Sequence, residues 1–172
     1  MVVTAVRRLV VADLVAYKAL RDAVLTAHPE AFRSDAAPQR PQQSYRSRFG
    51  LDRPEGGNFT LGAWQEQRLV GAVSCERDPR AKVLHIGHVI GMMVRDDAQG
   101  HGIGRALLAA CIEEACAARD LVLLTLTVTA GNAPAVRLYE RAGFTRYGRL
   151  ERAICVDGVY HAKDQMTLSL NG

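Results

Sequence analysis

The stretch from Val94 to Leu108 reads VRDDAQGHGIGRALL, with glycines at 100, 102 and 104 directly before an apolar helical pattern. Glycine adopts left-handed backbone freely and leaves room for a ligand, so such a run lets successive N–H groups converge on one point. A helix start adds its unpaired N–H groups and the positive end of its dipole. Together these hold an anion, most naturally a phosphate or pyrophosphate. Single positions exclude two familiar phosphate loops. A dinucleotide fingerprint G-x-G-x-x-G requires glycine where Arg105 stands if it begins at Gly100, and where Leu107 stands if it begins at Gly102. A P-loop requires Gly-Lys-Ser/Thr, and Gly104 is followed by Arg105. The loop therefore fits a phosphate ligand bound by backbone without a metal. The plainer alternative is a glycine-rich turn that only starts a helix.

The surrounding elements follow from periodicity. Gly102 to Ala118 is an amphipathic helix, with Ile103, Leu107, Leu108, Cys111, Ile112, Ala115 and Cys116 at helical spacing. Leu123 to Thr129 alternates apolar residues with threonine, as a strand does. Asn132 reads as the N-cap of a further helix, with Pro134 in its first turn and Gly143 as its stop. Strands are predicted at Val3–Leu9, Phe59–Trp64, Arg68–Cys75 and from Lys82 or Val83 to Val94. Helices are predicted at Val11–Thr26 and Gln42–Phe49, joined through the proline-containing segment Ser34–Gln43. From Phe144 onward two or three strands turn at Asp157–Gly158. The strand–helix–strand unit from Val83 to Thr129 should be parallel and right-handed.

The chain has 172 residues, which fits a single domain over 1–172 with an ordinary core. Hydrophobic residues make up 48% and charged residues 23%, which excludes disordered, collagen-like and coiled-coil classes. No run approaches the ~20 apolar residues of a membrane span, and charges enter too early for a signal peptide. A cytoplasmic protein with no membrane partner is expected. The net charge of +4 suits an anionic ligand, but Arg and Lys are scattered, so nucleic acid is not an expected partner. Cys75, Cys111, Cys116 and Cys155 form no C-x-x-C or zinc pattern, and no metal is expected. Cys111 and Cys116, on the apolar helical stripe, read as buried reduced thiols.

Two motifs in order carry a resemblance. Gln99-Gly100-His101-Gly102-Ile103-Gly104 fits Q/R-x-x-G-x-G/A, and Asn132 to Phe144, NAPAVRLYERAGF, fits N-x-x-A-x-x-L-Y-x-x-x-G-F. With a strand between them, they resemble the signatures of the GNAT superfamily of N-acetyltransferases. The likeness is good over about residues 60 to 148. It implies an α/β (α+β) fold: a mixed, mostly antiparallel twisted sheet with a splayed central parallel strand pair, flanked by helices. A β-bulge near the end of the first splayed strand would open a V-shaped gap for acetyl-CoA.

The resemblance assigns roles. The pyrophosphate of acetyl-CoA would meet the N–H groups of Gln99, Gly100, His101, Gly102, Ile103, Gly104 and Arg105. The pantetheine arm would pair with the backbone of Met92, Met93 and Val94 like an added strand, with Asn132 nearby. The N–H of Met92 or Met93 would stabilise the carbonyl oxygen during transfer. Tyr139 would be the general acid for the leaving sulfur. Some relatives carry a base six positions before the residue matching Val94, and here that position is His88. A histidine can take a proton near neutral pH. His85 and Glu76 compete for this role, as do water chains. The implied reaction is direct acetyl transfer to a primary amine, of a small molecule or a protein. A non-catalytic acyl-CoA-binding module or sensor on the same fold is the alternative. The acceptor pocket would be walled by the His28–Phe32 segment and the hairpin around Tyr147 to Tyr160, with Glu30 or Asp35 placed to attract a cationic amine. Homodimers are common in the family, so a homodimer is a further expectation.

Overall fold

The computed structural model describes residues 4–170. Seven strands form one sheet: β1 (Thr4–Arg8), β2 (Phe59–Gln65), β3 (Arg68–Arg77), β4 (Ile86–Val94), β5 (Leu123–Thr129), β6 (Thr145–Val156) and β7 (Val159–Ser169). Their spatial order is β1-β2-β3-β4-β5-β7-β6, and every neighbouring pair is antiparallel except β4 with β5. Three helices flank it: α1 (Leu14–Ala27), α2 (Ile103–Ala117) and α3 (Ala133–Arg141). This is the mixed, mostly antiparallel sheet with one parallel central pair that the motifs imply.

The middle of the sheet is covered on both faces, so β3 reads as a nearly continuous apolar run rather than an alternation. β3 is buried from Leu69 to Cys75. One face holds Val73, Cys75, Val89 and Leu124 against Leu107, Leu108 and Cys111 of α2. The other holds Ala72 and Met93 with Leu14, Tyr17 and Leu20 of α1. Tyr17 is fully buried, with the rings of Tyr45 and Phe49 set edge-on at 5.5 and 5.0 Å.

Three sequence expectations need correction, and one lies partly outside the described residues. Gln42–Phe49 is not an α-helix: a single 3-10 turn spans Gln42–Tyr45, and the chain continues in irregular turns, most of them closed over three residues. β4 begins at Ile86, because Ala81–Val83 takes a 3-10 turn. Cys116 is exposed, whereas Cys111 is buried. Five residues separate the two, about 140° around a helix, and Ala115 takes the inward place instead. The predicted strand start at Val3 lies outside the described residues.

Candidate active site

β4 and β5 pair only over Ile86–His88 with Leu123–Thr125. Beyond that point β4 has no partner on its β5 side. The cause lies on its other edge. Ala72 faces Met93 and Ser74 faces Ile90, so two steps along β3 span three along β4. Gly91 absorbs the extra residue with φ +60°, a left-handed value that favours glycine. The bulge bends β4 away from β5 and resets its alternation. Met92 consequently packs with the α2-side cluster and Met93 with the α1-side cluster.

The opening is a cleft of about 290 Å³. Its floor is Val89–Met93 of β4 and Thr127–Thr129 of β5; Asn132 and α3 close one side, and residues 31–34 the other. The 31–34 segment is tied down from the sheet. Thr129 Oγ1 donates to the Glu30 carbonyl at 2.7 Å, and Lys163 Nζ donates to the Ala31 carbonyl at 2.9 Å.

The glycine loop sits past the end of β4. A 3-10 turn at Asp96–Ala98 precedes it and is pinned from several directions. His28 Nε2 meets Asp96 Oδ1 at 2.6 Å, Arg68 donates to Asp97 at 2.6 Å, and Gln99 Nε2 donates to the Val94 carbonyl and to Asp96. Gly100 and Gly102 have φ +79° and +75°, and a Cβ on either would meet nothing within 4 Å. Gly102 is the N-cap of α2 and offers no side-chain cap, so the first N–H groups of this 15-residue helix face outward unpaired. Gly104 lies where α2 approaches α3, with Leu138 3.5 Å from the place of a Cβ. This is an open cradle of backbone donors at a helix N-terminus, the form an anion requires. It leads into a groove between α2 and α3 whose walls carry Arg105, Arg137 and Arg141. Arg137 and Arg141 escaped the sequence reading because each is one exposed arginine on an amphipathic helix.

α3 brings two predicted residues to the cleft. Asn132 caps it by accepting from the Ala135 N–H at 3.3 Å. Tyr139 lies on its inner face, 7% exposed, with its ring edge-on to Phe144 at 6.0 Å. Its hydroxyl makes no hydrogen bond to the other described residues, and it lines the cleft. Burial, reinforced by nearby Cys111, pushes the phenol above its ordinary value, so it keeps its proton at neutral pH.

Met92, Met93, Asn132 and Tyr139 thus line one cleft, whereas Val94 and residues 99–105 lie outside its lining. Gly104 stands next to Val94 and Leu138, and Leu138 lines both the cleft and the groove between α2 and α3. His88 is placed differently. It is exposed on β4 where β4 and β5 are still joined, opposite Glu76 of β3, and its Nδ1 lies 2.7 Å from Thr125 Oγ1. It is outside the cleft lining. His85 is exposed before β4, and its carbonyl accepts from Val122 and Leu123. Glu76 accepts from Arg48 Nε at 3.1 Å, and Arg48 also donates to the Tyr17 hydroxyl.

The walls expected to surround an acceptor differ from expectation. Residues 31–34 line the cleft, but Tyr147 and Tyr160 of the hairpin are exposed elsewhere, and neither Glu30 nor Asp35 lines it. The hairpin's contribution is Lys163, buried at the open end of β5 opposite Thr129. Burial, with the charge of Arg33 nearby, pulls its amine down to about 8. A lone lysine in a strand carries no sequence signal; only the strand register places it.

Comparison with known proteins agrees with this architecture. Residues 18–144 match the family model described as the acetyltransferase (GNAT) family. A mycothiol acetyltransferase of Thermomonospora curvata is 36% identical over 110 residues, 56% of this chain and 37% of that protein. The chain thus spans well under half the length of that relative. A GNAT-family acetyltransferase from Streptococcus pneumoniae superimposes with a TM-score of 0.88 at 25% identity, over 97% of this chain and 99% of that one. Salmonella typhimurium yncA, whose structure holds its cofactor acetyl-CoA, shares the fold with a TM-score of 0.84 at 20% identity, over 98% and 94% of the two chains. With its splayed strands, glycine cradle and matching family model, this chain belongs to the GNAT family of acetyltransferases.

Proposed function

We propose that residues 1–172 form one acetyltransferase domain that moves an acetyl group from acetyl-CoA to a primary amine by direct transfer. The observation that supports this best is the alignment of three features along one path. An uncapped α2 N-terminus with two left-handed glycines opens onto the unpaired edge of β4, and that edge leads to the Tyr139 hydroxyl. Backbone donors at 99–105 suit a pyrophosphate, and the free edge of β4 suits an extended amide-bearing arm. Arg137 and Arg141 suit the phosphorylated nucleotide end. The unpaired cysteines fit a reducing compartment, the cytoplasm.

When bound, acetyl-CoA supplies the activated acyl carbon as a thioester. The amine nitrogen forms a bond to that carbon as the carbon–sulfur bond breaks; the nitrogen loses one proton and the sulfur gains one. The Met92 or Met93 N–H donates to the carbonyl oxygen as charge gathers there. Tyr139, still protonated, hydrogen-bonds the departing sulfur and supplies its proton. His88 takes the amine's proton at one remove, through water, since it stands outside the cleft wall. The tautomer that donates Nδ1–H to Thr125 Oγ1 leaves Nε2 as the acceptor this role needs.

Thermal unfolding with and without excess acetyl-CoA, with NAD and ATP as controls, tests the binding half. At about 100 times Kd a ligand specific to the folded state stabilises by about 2.7 kcal/mol. Selective stabilisation by acetyl-CoA is expected; none, with a response to ATP or NAD, would refute the reading. The His88 role predicts that His88→Ala lowers kcat/KM about tenfold or more at neutral pH and that raising the pH restores much of it.

A further inference from the structure

The cleft wall carries a charge imbalance that acetyl transfer itself does not require. Four cations line it, Arg21, Arg33, Arg48 and Lys163, and no Asp or Glu does. The thioester end of acetyl-CoA is uncharged, and its phosphates belong at the α2 cradle and the groove beyond. The cations come instead from α1, the 31–34 segment, the turns before β2, and β7, all around the acceptor end.

Arg48 is accounted for by Glu76 and Tyr17. The other three have no carboxylate partner among the described residues. Arg21 is 5% exposed; its guanidinium lies over the Tyr45 ring at 5.3 Å and donates one bond, to the Tyr45 hydroxyl at 3.2 Å. Lys163 is equally buried and donates one bond, to a neutral carbonyl, with the like charge of Arg33 beside it. Burying cations without counter-charge is costly, and keeping two in one cleft wall more so. An anion entering the cleft would relieve both, and the planar fork of an arginine suits a carboxylate.

Building on the acetyltransferase reading, we propose that the acceptor end binds a carboxylate carried by the acceptor itself, so that the substrate is a small amino acid–type amine rather than a polyamine or an uncharged amine. Arg21 and Lys163 hold the carboxylate from within and Arg33 from the rim, leaving the amino group toward Met92 and Tyr139.

The test uses the full chain with acetyl-CoA and follows release of free thiol. L-amino acids are each compared with their carboxamide and their decarboxylated amine, with spermidine as a polycation. The acid of an accepted set is expected to exceed both counterparts in kcat/KM by about tenfold or more. Arg33→Gln alters an exposed residue and does not threaten folding; Arg21→Lys keeps the charge and loses the fork. Both should raise KM for the amino acid several-fold, leave KM for acetyl-CoA unchanged and narrow the preference for the acid. Equal or better turnover of carboxamides, decarboxylated amines or spermidine overturns the inference while leaving the transferase reading intact. A preference that neither variant narrows also overturns it. No thiol release with any amine, while acetyl-CoA still stabilises the fold, overturns the transferase reading and the inference together.

Discussion

Tyr139 admits two uses of the same side chain, a packed ring and, in the proposed reaction, a general acid. On sequence alone an aromatic on the inner face of α3 is a core residue, and it does pack against Phe144. Its hydroxyl, however, lies at the wall of the cleft without a partner among the described residues. Tyr139→Phe keeps the ring and deletes only that group. The expected result is a kcat about 100-fold lower, an unchanged KM for acetyl-CoA and an unfolding midpoint within a few degrees of the wild type. A kcat within threefold of the wild type would show that the leaving sulfur takes its proton elsewhere. Asn132 is simpler. Its side chain caps α3, so Asn132→Ala should cost about 1 kcal/mol in urea unfolding whatever its part in ligand binding.

At the scale of elements, the glycines of the loop are not equivalent. Gly102 holds φ +75° at the start of α2, with open space where a Cβ would stand. A β-branched residue there meets no atom but is forced into left-handed backbone, a strain of about 1–2 kcal/mol. It would also project into the cradle. Gly102→Val should therefore lower the unfolding midpoint and weaken acetyl-CoA binding about tenfold, read by calorimetric titration. Gly104 is helical, and a Cβ there makes ordinary contact with Leu138 at 3.5 Å. Gly104→Ala should bind acetyl-CoA nearly as the wild type does and be no less stable. Equal damage from both substitutions would mean that space, not backbone conformation, governs the loop. These elements were legible in the sequence because strong local patterns specify them: the apolar stripe of α2, the alternation of β5 and the cap-to-glycine frame of α3. The 42–49 segment misled because Tyr45 and Phe49, four apart, mimic a helical face. They in fact meet Tyr17 from a series of turns. The cation-lined end of the cleft was not legible, because Arg21, Arg33, Arg48 and Lys163 come from four separate places in the chain. Only the assembled fold makes them neighbours.

At the scale of the whole molecule, the buried titratable groups give stability a characteristic dependence on alkaline pH. Lys163 falls from an ordinary 10.5 to about 8 in the folded state. Between those values the unfolded chain binds more protons, so this group makes stability rise with pH from 8 to 10.5. Burial pushes Cys75 from 9.0 up to about 11, and Cys111 and Tyr139 also upward. For these three the folded state holds the extra proton. Their stabilisation is complete below the unfolded values and is lost as pH rises through the folded ones. From pH 8 to 9 the opposing slopes largely offset, and the wild type should show a nearly flat urea midpoint before falling. Lys163→Met removes the rising contribution alone. The stability of the wild type relative to the variant should grow by about 1 kcal/mol between pH 8 and 9, and by roughly 3 kcal/mol by pH 10.5. Loss of the bond to the Ala31 carbonyl adds a constant, not a slope. A difference that does not change with pH would mean that Lys163 is as well solvated in the fold as in the unfolded chain. Its charge would then cost nothing to hold at the cation-lined end of the cleft.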